Sequence, residues 1–277
     1  MDRPIAELAR AADHERYLAA LYAPDGKRAA LFALYAFNAE IAAVRDRVSQ
    51  PLPGEMRLQW WRDLIEADRP DTGGQPVAEA LLAAIRVHAL PRQAFLNALD
   101  ARIFDLYDDP MPSRTDLEGY CGETAGALIQ LAALVLDERA APGAAALAGH
   151  AGCAQAITGL LRLLPRHIAR RQCYLPRDLL AAAGTTPQEF LSEPSAPASL
   201  RAVAALAALA REHLSAFEKD APSLPATLRP AFLPLATAPA YLARIEGREV
   251  RAIKNGAGIS SLRRHMLMLN RAVRGWS

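Results

Sequence analysis

A chain of 277 residues, 52% hydrophobic but only 6% aromatic and visibly richer in Ala and Leu than in Val, Ile and Thr, has apolar material for a large helical core and little for a sheet. A net charge of +2, with Lys and Arg scattered rather than run together, excludes a nucleic-acid partner. Three widely spaced cysteines, Cys121, Cys153 and Cys173, form no CxxC pair, so neither a disulfide framework nor a zinc site is suggested, and a reducing compartment is expected.

Pro4 suits the first turn of a helix carrying Ile5, Leu8, Tyr17, Leu18 and Leu21, and Pro24-Asp25-Gly26 reads as the turn behind it. The N-terminal stretch has acidic residues where a secretory signal carries an apolar block, so a cytoplasmic placement is expected. A second helix is predicted over 27–48. Pro51 and Pro53 separate it from a third over 54–68, where Met56, Trp60, Trp61, Leu64 and Ile65 recur at helical spacing. The segment 69–76 reads as a surface loop. Further helices are predicted over 77–90, 92–107, 114–136 and 144–172. Within the last of these regions, 140–161 lacks Asp, Glu, Lys and Arg and reaches the length of about 20 residues that a membrane span needs. Pro142, His150, Gln155 and four glycines interrupt it, so a buried core helix is expected. Residues 192–197 read as a loop, and five prolines bar one long straight helix from 221–239. Helices resume over 240–253 and 259–274. The pattern predicts an all-α helical bundle, one domain over 1–277.

Two predicted helices carry partly polar stripes. At about 100° per residue, Tyr35, Asn38, Ala42 and Asp46 share one face of the second helix. Ala156, Leu163, His167 and Arg170 share a face of the 144–172 helix, with Arg162 and Arg166 at its flank and Arg171 beyond. Tyr35, Tyr120 and Tyr174 are expected at a cavity rim or in the core with satisfied hydroxyls. His167 is expected either to cap a kinked turn beside Pro165 or to pair with Asp46. Adjacent Trp60 and Trp61 point about 100° apart, so either one is in the core and the other exposed or at an interface, or both are packed between helices; Arg57, Trp60 and Trp61 are the candidates for a membrane or partner contact. An outward Trp beside Arg57 and Arg62 suits a membrane surface or a protein contact. No Ser-His-Asp order and no Gly-rich phosphate loop is legible.

The strings ALYAFNAEIAAVRD (33–46), YCGETAG (120–126) and AGCAQAITGLLRLLPRHIARRQCYLPRDLL (151–180) resemble the squalene/phytoene synthase family. The resemblance implies an isoprenoid-synthase-like helical bundle around a central cavity. In that family two prenyl diphosphates are joined head to head, with magnesium bound by Asp-rich motifs on two facing helices. Here the first motif falls on Ala42, Ala43 and Asp46 and the second on Leu163 and His167, so four of five carboxylates are replaced. Magnesium needs near-octahedral oxygen ligation. Ala and Leu supply no ligand, and imidazole suits softer metals. No catalytic residue, metal or other cofactor is therefore expected. Tyr35, Asn38, Ala42, Asp46, Leu163, His167, Arg170, Arg171 and Tyr174 become candidates for binding a ligand in the cavity. The arginines can grip phosphate oxygens directly.

EMRLQWWRDLIE (55–66), the Leu161-Arg162-x-x-Pro165-x-His167-x-x-Arg170-Arg171 string and GTTPQEF (184–190) are similar to the complex I assembly-factor subgroup of the same superfamily. That similarity implies a non-catalytic prenyl- or anionic-lipid-binding protein, or a partner of respiratory NADH:quinone oxidoreductase assembly intermediates, placed peripherally at the inner face of the membrane. Two alternatives stand beside it. One is a prenyl diphosphate transferase acting on farnesyl or geranylgeranyl diphosphate with altered Mg2+ ligation, and the other is a plain helical interaction module.

Overall fold

The computed structural model describes residues 2–67 and 71–276. The expected end of the third helix at Asp68, and Arg69 and Pro70 of the expected loop, lie outside the described residues. Among those described, the chain is helical with no strand. The first expected helix is two: α1 (Asp2–Ala12) and α2 (His14–Leu21). Between them the Asp13 carboxylate accepts the Arg16 backbone N–H at 3.0 Å, an N-cap that satisfies a donor the helix cannot. Helix α3 (Asp25–Ala42) begins directly after Pro24, so Pro24–Gly26 forms its entry rather than a separate turn. It stops at Ala42, and the four-residue α4 (Val44–Arg47) follows.

Prolines stand in the first turns of α5 (Pro51–Glu66) and α6 (Pro76–Val87), where the missing N–H is not needed. Helix α7 (Arg92–Ile103) tightens into a 3-10 turn at Phe104–Leu106. Over 114–136, α8 (Arg114–Cys121) continues through a π-turn at Gly122–Gly126 into α9 (Ala127–Leu136). The helix expected over 144–172 breaks at Leu163 into α10 (Ala145–Arg162) and α11 (Leu164–Ala169), because Pro165 has no N–H to continue the ladder.

Next come α12 (Arg177–Ala182) and α13 (Pro187–Ser192), the latter closed by a reciprocal capping box between Thr186 and Glu189. Helix α14 (Pro197–Asp220), at 24 residues, follows. The proline-rich segment holds only short turns around α15 (Arg229–Phe232). Gly247, at φ +68, separates α16 (Ala238–Ile245) from α17 (Glu249–Asn255), splitting the helix expected over 240–253. Helix α18 (Ser261–Arg274) ends the chain.

Contacts gather into two compact units, residues 1–107, 127–148 and 224–234, and residues 108–126, 149–223 and 235–277. In the first, α3 is the central element, buried over Ala30–Phe37 and packed against α1, α6 and α9. Phe37 meets Trp61 and Phe95 edge-on at 5.0 and 5.6 Å, a geometry that adds about 0.5–1.5 kcal/mol per pair to the burial itself. In the second, α14 packs on α12, α16 and α17 through Val203, Leu206, Leu214 and Phe217, and Trp276 stands edge-on to Phe217 at 5.3 Å. Two helical stretches, Arg114–Leu136 and Ala141–Arg162, are long and apolar enough to cross a membrane, but most of each apolar window is buried inside the protein.

Candidate functional site

In the first unit, Tyr35 is buried to 2% exposure on α3, and its hydroxyl has no hydrogen-bond partner among the described residues. The expectation of a satisfied hydroxyl is overturned there. Burial pushes the phenol well above its ordinary range, against a lowering by Arg16 and with a smaller raising by Asp13. Asn38 and Ala42 lie half-buried on the same helix. Asp46 does not continue their stripe as expected, because the helix ends at Ala42 and Asp46 sits exposed on α4.

In the second unit, the break between α10 and α11 leaves Leu163 45% exposed. His167 rests against the Tyr174 ring, centroids 4.8 Å apart. Arg170 and Arg171 are exposed at the end of α11. Gln172 N–H reaches the His167 carbonyl at 2.9 Å and Arg171 N–H the Ile168 carbonyl at 3.0 Å, the two bonds of a Schellman close. Its left-handed residue, normally Gly, is Arg171 at φ +57. Gln172, itself buried, donates to the Asp108 carboxylate at 2.6 Å and pins the turn. Arg162 lies over the Tyr241 ring at 3.7 Å, and the Thr158 hydroxyl on α10 is buried without a partner among the described residues. The structure therefore gathers His167, Arg170, Arg171 and Tyr174 around one turn. Tyr35, Asn38, Ala42 and Asp46 belong to the other unit.

The tryptophans divide between core and surface rather than both packing between helices, which removes Trp61 as a contact candidate. Trp61 is buried against Phe37, while Trp60 is 39% exposed, with Arg57 exposed on the same helix. Sequence reasoning missed two features. One is an open apolar groove of about 540 Å³ lined by Ile5, Ala29, Ala80, Ala83, Val87 and His88. Burial, with Lys27 adding to it, lowers the His88 imidazole. The other is a polar chain on the second unit. Arg114 donates to Glu118 and Glu212, each at 2.8 Å, while His213 Nε2 lies 3.0 Å from Glu118 and its Nδ1 3.1 Å from His150 Nδ1. Burial alone would raise the Glu118 carboxyl, yet the hydrogen bonds of Arg114 and His213 hold it below its ordinary value. All three cysteines are buried and none is in a disulfide among the described residues, and burial pushes Cys173 up to about 11.

A sequence model of squalene/phytoene synthases matches residues 9–265. The chain belongs to the squalene/phytoene synthase family. Among its relatives, mouse NADH dehydrogenase (ubiquinone) complex I, assembly factor 6, is 35% identical over 243 residues, 87% of this chain and 72% of that protein. The human protein of the same name is 33% identical over 246 residues, again 87% and 72%. Presqualene diphosphate synthase of Sinorhizobium fredii is 30% identical over 206 residues, 72% of this chain and 71% of that enzyme. Among solved structures, a dehydrosqualene synthase in complex with ligand matches with a TM-score of 0.81 at 20% identity, over 96% of this chain and 93% of that one. Squalene synthase HpnC from Alicyclobacillus acidocaldarius matches at 0.74 and 21%, over 87% and 91%. These structural likenesses establish the fold alone.

Magnesium, which the family implies, does not fit the donor set at the family positions. Ala42 and Ala43 carry no donor, Leu163 is an exposed apolar side chain, the His167 imidazole is stacked on Tyr174, and only Asp46 offers a carboxylate. Among the described residues no cluster of three or more His, Cys, Asp and Glu side chains is placed to hold a metal ion.

Proposed function

We propose that this protein is an assembly factor for respiratory NADH:quinone oxidoreductase, built on a squalene/phytoene synthase fold that has given up prenyl transfer, and that it works in the cytoplasm. The observation that carries the reading is the replacement of the family's metal-binding carboxylates by Ala42, Ala43, Leu163 and His167 on a retained scaffold. Ionising a diphosphate needs charge neutralisation at the departing oxygens, and one Asp cannot recruit the cation that supplies it. The names of the mouse and human relatives support the assembly role.

A second element of the proposal is that the fold still holds a ligand. The buried Thr158 hydroxyl on α10 is unsatisfied among the described residues, a cost of about 1–3 kcal/mol that a bound polar group would remove. A prenyl or other anionic lipid suits it, with its anionic end held by Arg170 and Arg171 of the same unit. Deleting the gene in the source organism tests the main reading: assembled oxidoreductase should fall while isoprenoid products are unchanged. Unchanged complex levels with a lost isoprenoid product, or turnover of farnesyl diphosphate by the purified protein with magnesium, would overturn it.

A further inference from the structure

Helix α18 carries two apolar faces, and only one of them is covered. Leu267 packs against the cluster of Ala240, Tyr241 and Ile259, Met268 is buried, and Arg264 donates to the Tyr241 hydroxyl at 3.5 Å. On the opposite side Leu262, Met266, Leu269 and Val273 stand 74%, 59%, 46% and 70% exposed. Spaced by three or four residues, they fall within an arc of about 60° on a helix turning about 100° per residue. Arg263 and Arg274 flank this row on one side and His265 on the other, all exposed. From Val250 to Trp276 the sequence has six Lys and Arg and no Asp or Glu, and Arg251 and Lys254 on neighbouring α17 are exposed as well.

We propose that this face of α18 docks the protein on an anionic lipid surface. A helix with a strong apolar row, cationic flanks and low overall hydrophobicity is the kind that lies in the headgroup plane, its row about 5–10 Å deep among the acyl chains. Flanking arginines reach back to lipid phosphates along their own methylene stems. Folded-protein hot spots instead favour Trp, Tyr and Arg anchors seated in shaped pockets, whereas this row is narrow, straight and free of aromatic side chains. A second copy is the poorer occupant, because a self-complementary contact would bring the basic flanks of one α18 close to those of the other. The exposed row of Leu52, Met56 and Trp60 on α5 is a weaker candidate for the lipid-facing surface, since Glu55, Asp63 and Glu66 share that helix while α18 carries no carboxylate.

Flotation of the purified full chain with vesicles of phosphatidylcholine, alone or mixed with phosphatidylglycerol, tests the proposal. The expected result is binding to the mixed vesicles that weakens with added salt, with little binding to phosphatidylcholine alone. Leu262→Ser combined with Leu269→Ser should keep the circular dichroism and melting of the parent and weaken vesicle binding by about tenfold or more. Arg263→Gln with Arg274→Gln should weaken it by about fivefold per arginine. The proposal is overturned if the parent does not float with the mixed vesicles, or if both variants float as the parent does. It is equally overturned if light scattering shows a dimer that the two serine substitutions dissociate while vesicle binding is absent. No respiratory complex is present in this assay, so its failure and failure of the assembly reading are separate results.

Discussion

Gly152→Ala should destabilise the protein through a single clash that no side chain can relieve. A Cβ built on Gly152 of α10 falls 2.4 Å from both Cα and N of Gly126 and 3.1 Å from the Ala125 carbonyl carbon. Carbon pairs settle at about 3.5–4.0 Å, so the helix and the π-turn at Gly122–Gly126 must part by roughly 1 Å. The obstacle is backbone and cannot rotate away. Overpacking costs about 1–3 kcal/mol, here toward the upper end, while the better helix propensity of Ala returns about 1 kcal/mol. The net loss of about 2 kcal/mol corresponds to a fall of roughly 4–8 °C in melting temperature for a chain of this size. Gly159→Ala is the internal control. It lies two turns along the same helix with nothing within 4 Å of its Cβ, so it should gain up to about 1 kcal/mol. Thermal melts and urea titrations of the two variants beside the parent decide the matter. If Gly152→Ala melts at or above Gly159→Ala, the close approach does not hold the second unit together.

Arg171→Gly should raise stability by about 1 kcal/mol, because it relieves the left-handed backbone at φ +57 without losing either Schellman hydrogen bond, and a lower melting temperature would refute this. Arg170→Ala with Arg171→Ala should stay within about 0.5 kcal/mol of the parent and weaken binding of a prenyl diphosphate. By calorimetry that lipid should bind without magnesium and less well in salt, with no saturable magnesium isotherm in the free protein; diphosphate binding that disappears with chelator would count against the direct arginine contact. The Glu118 carboxyl is depressed in the folded state, so its contribution is present above the unfolded value near 4.5 and is lost as pH falls through the lower folded value. Glu118→Gln should accordingly flatten the decline of stability below about pH 4.5, and an unchanged acid profile would remove Glu118 from the account.

The helical class was legible because Ala and Leu dominate and no alternation competes. Several boundaries were not. The break after Ala42 sits in AEIAAVRD, which contains neither Gly nor Pro, so only tertiary packing marks it. Helix α14 shows why an alanine-rich segment hides its period: Ala202, Ala207 and Ala210 are buried while other alanines of the same helix face solvent, and one residue type on both faces leaves little contrast. Pro165 and Gly247, by contrast, sit at observed breaks. The site divides the same way. Loss of donors at Ala42, Ala43, Leu163 and His167 is a matter of residue type and is readable at once. The left-handed Arg171 is not readable, since nothing in an arginine announces positive φ. Nor is the chain from Arg114 through Glu118 and His213 to His150, which draws on three separate helices and joins residues 95 apart in sequence.

Why the scaffold persists when its metal ligands have gone follows from what each of the two requires. Catalysis in this family depends on a few carboxylates, and each can be lost with little effect on packing because a surface or cavity-lining Asp contributes little to the core. The fold depends on apolar contacts such as those of Phe37 with Trp61 and Phe95, which this chain makes. A chain can thus lose the chemistry and keep the scaffold on which binding surfaces are built. Charge then decides what is bound. A pair of opposite charges at about 4 Å is worth roughly 4 kcal/mol at an effective dielectric of about 20 before desolvation is subtracted. Under the proposed reading, Arg170 and Arg171, exposed at the end of α11, bind an anion directly and without a bridging metal. A diphosphate held in that way would also lack the cation that activates it for departure. A site of that kind, as proposed, holds a phosphorylated lipid without consuming it, whereas a transferase must release its diphosphate.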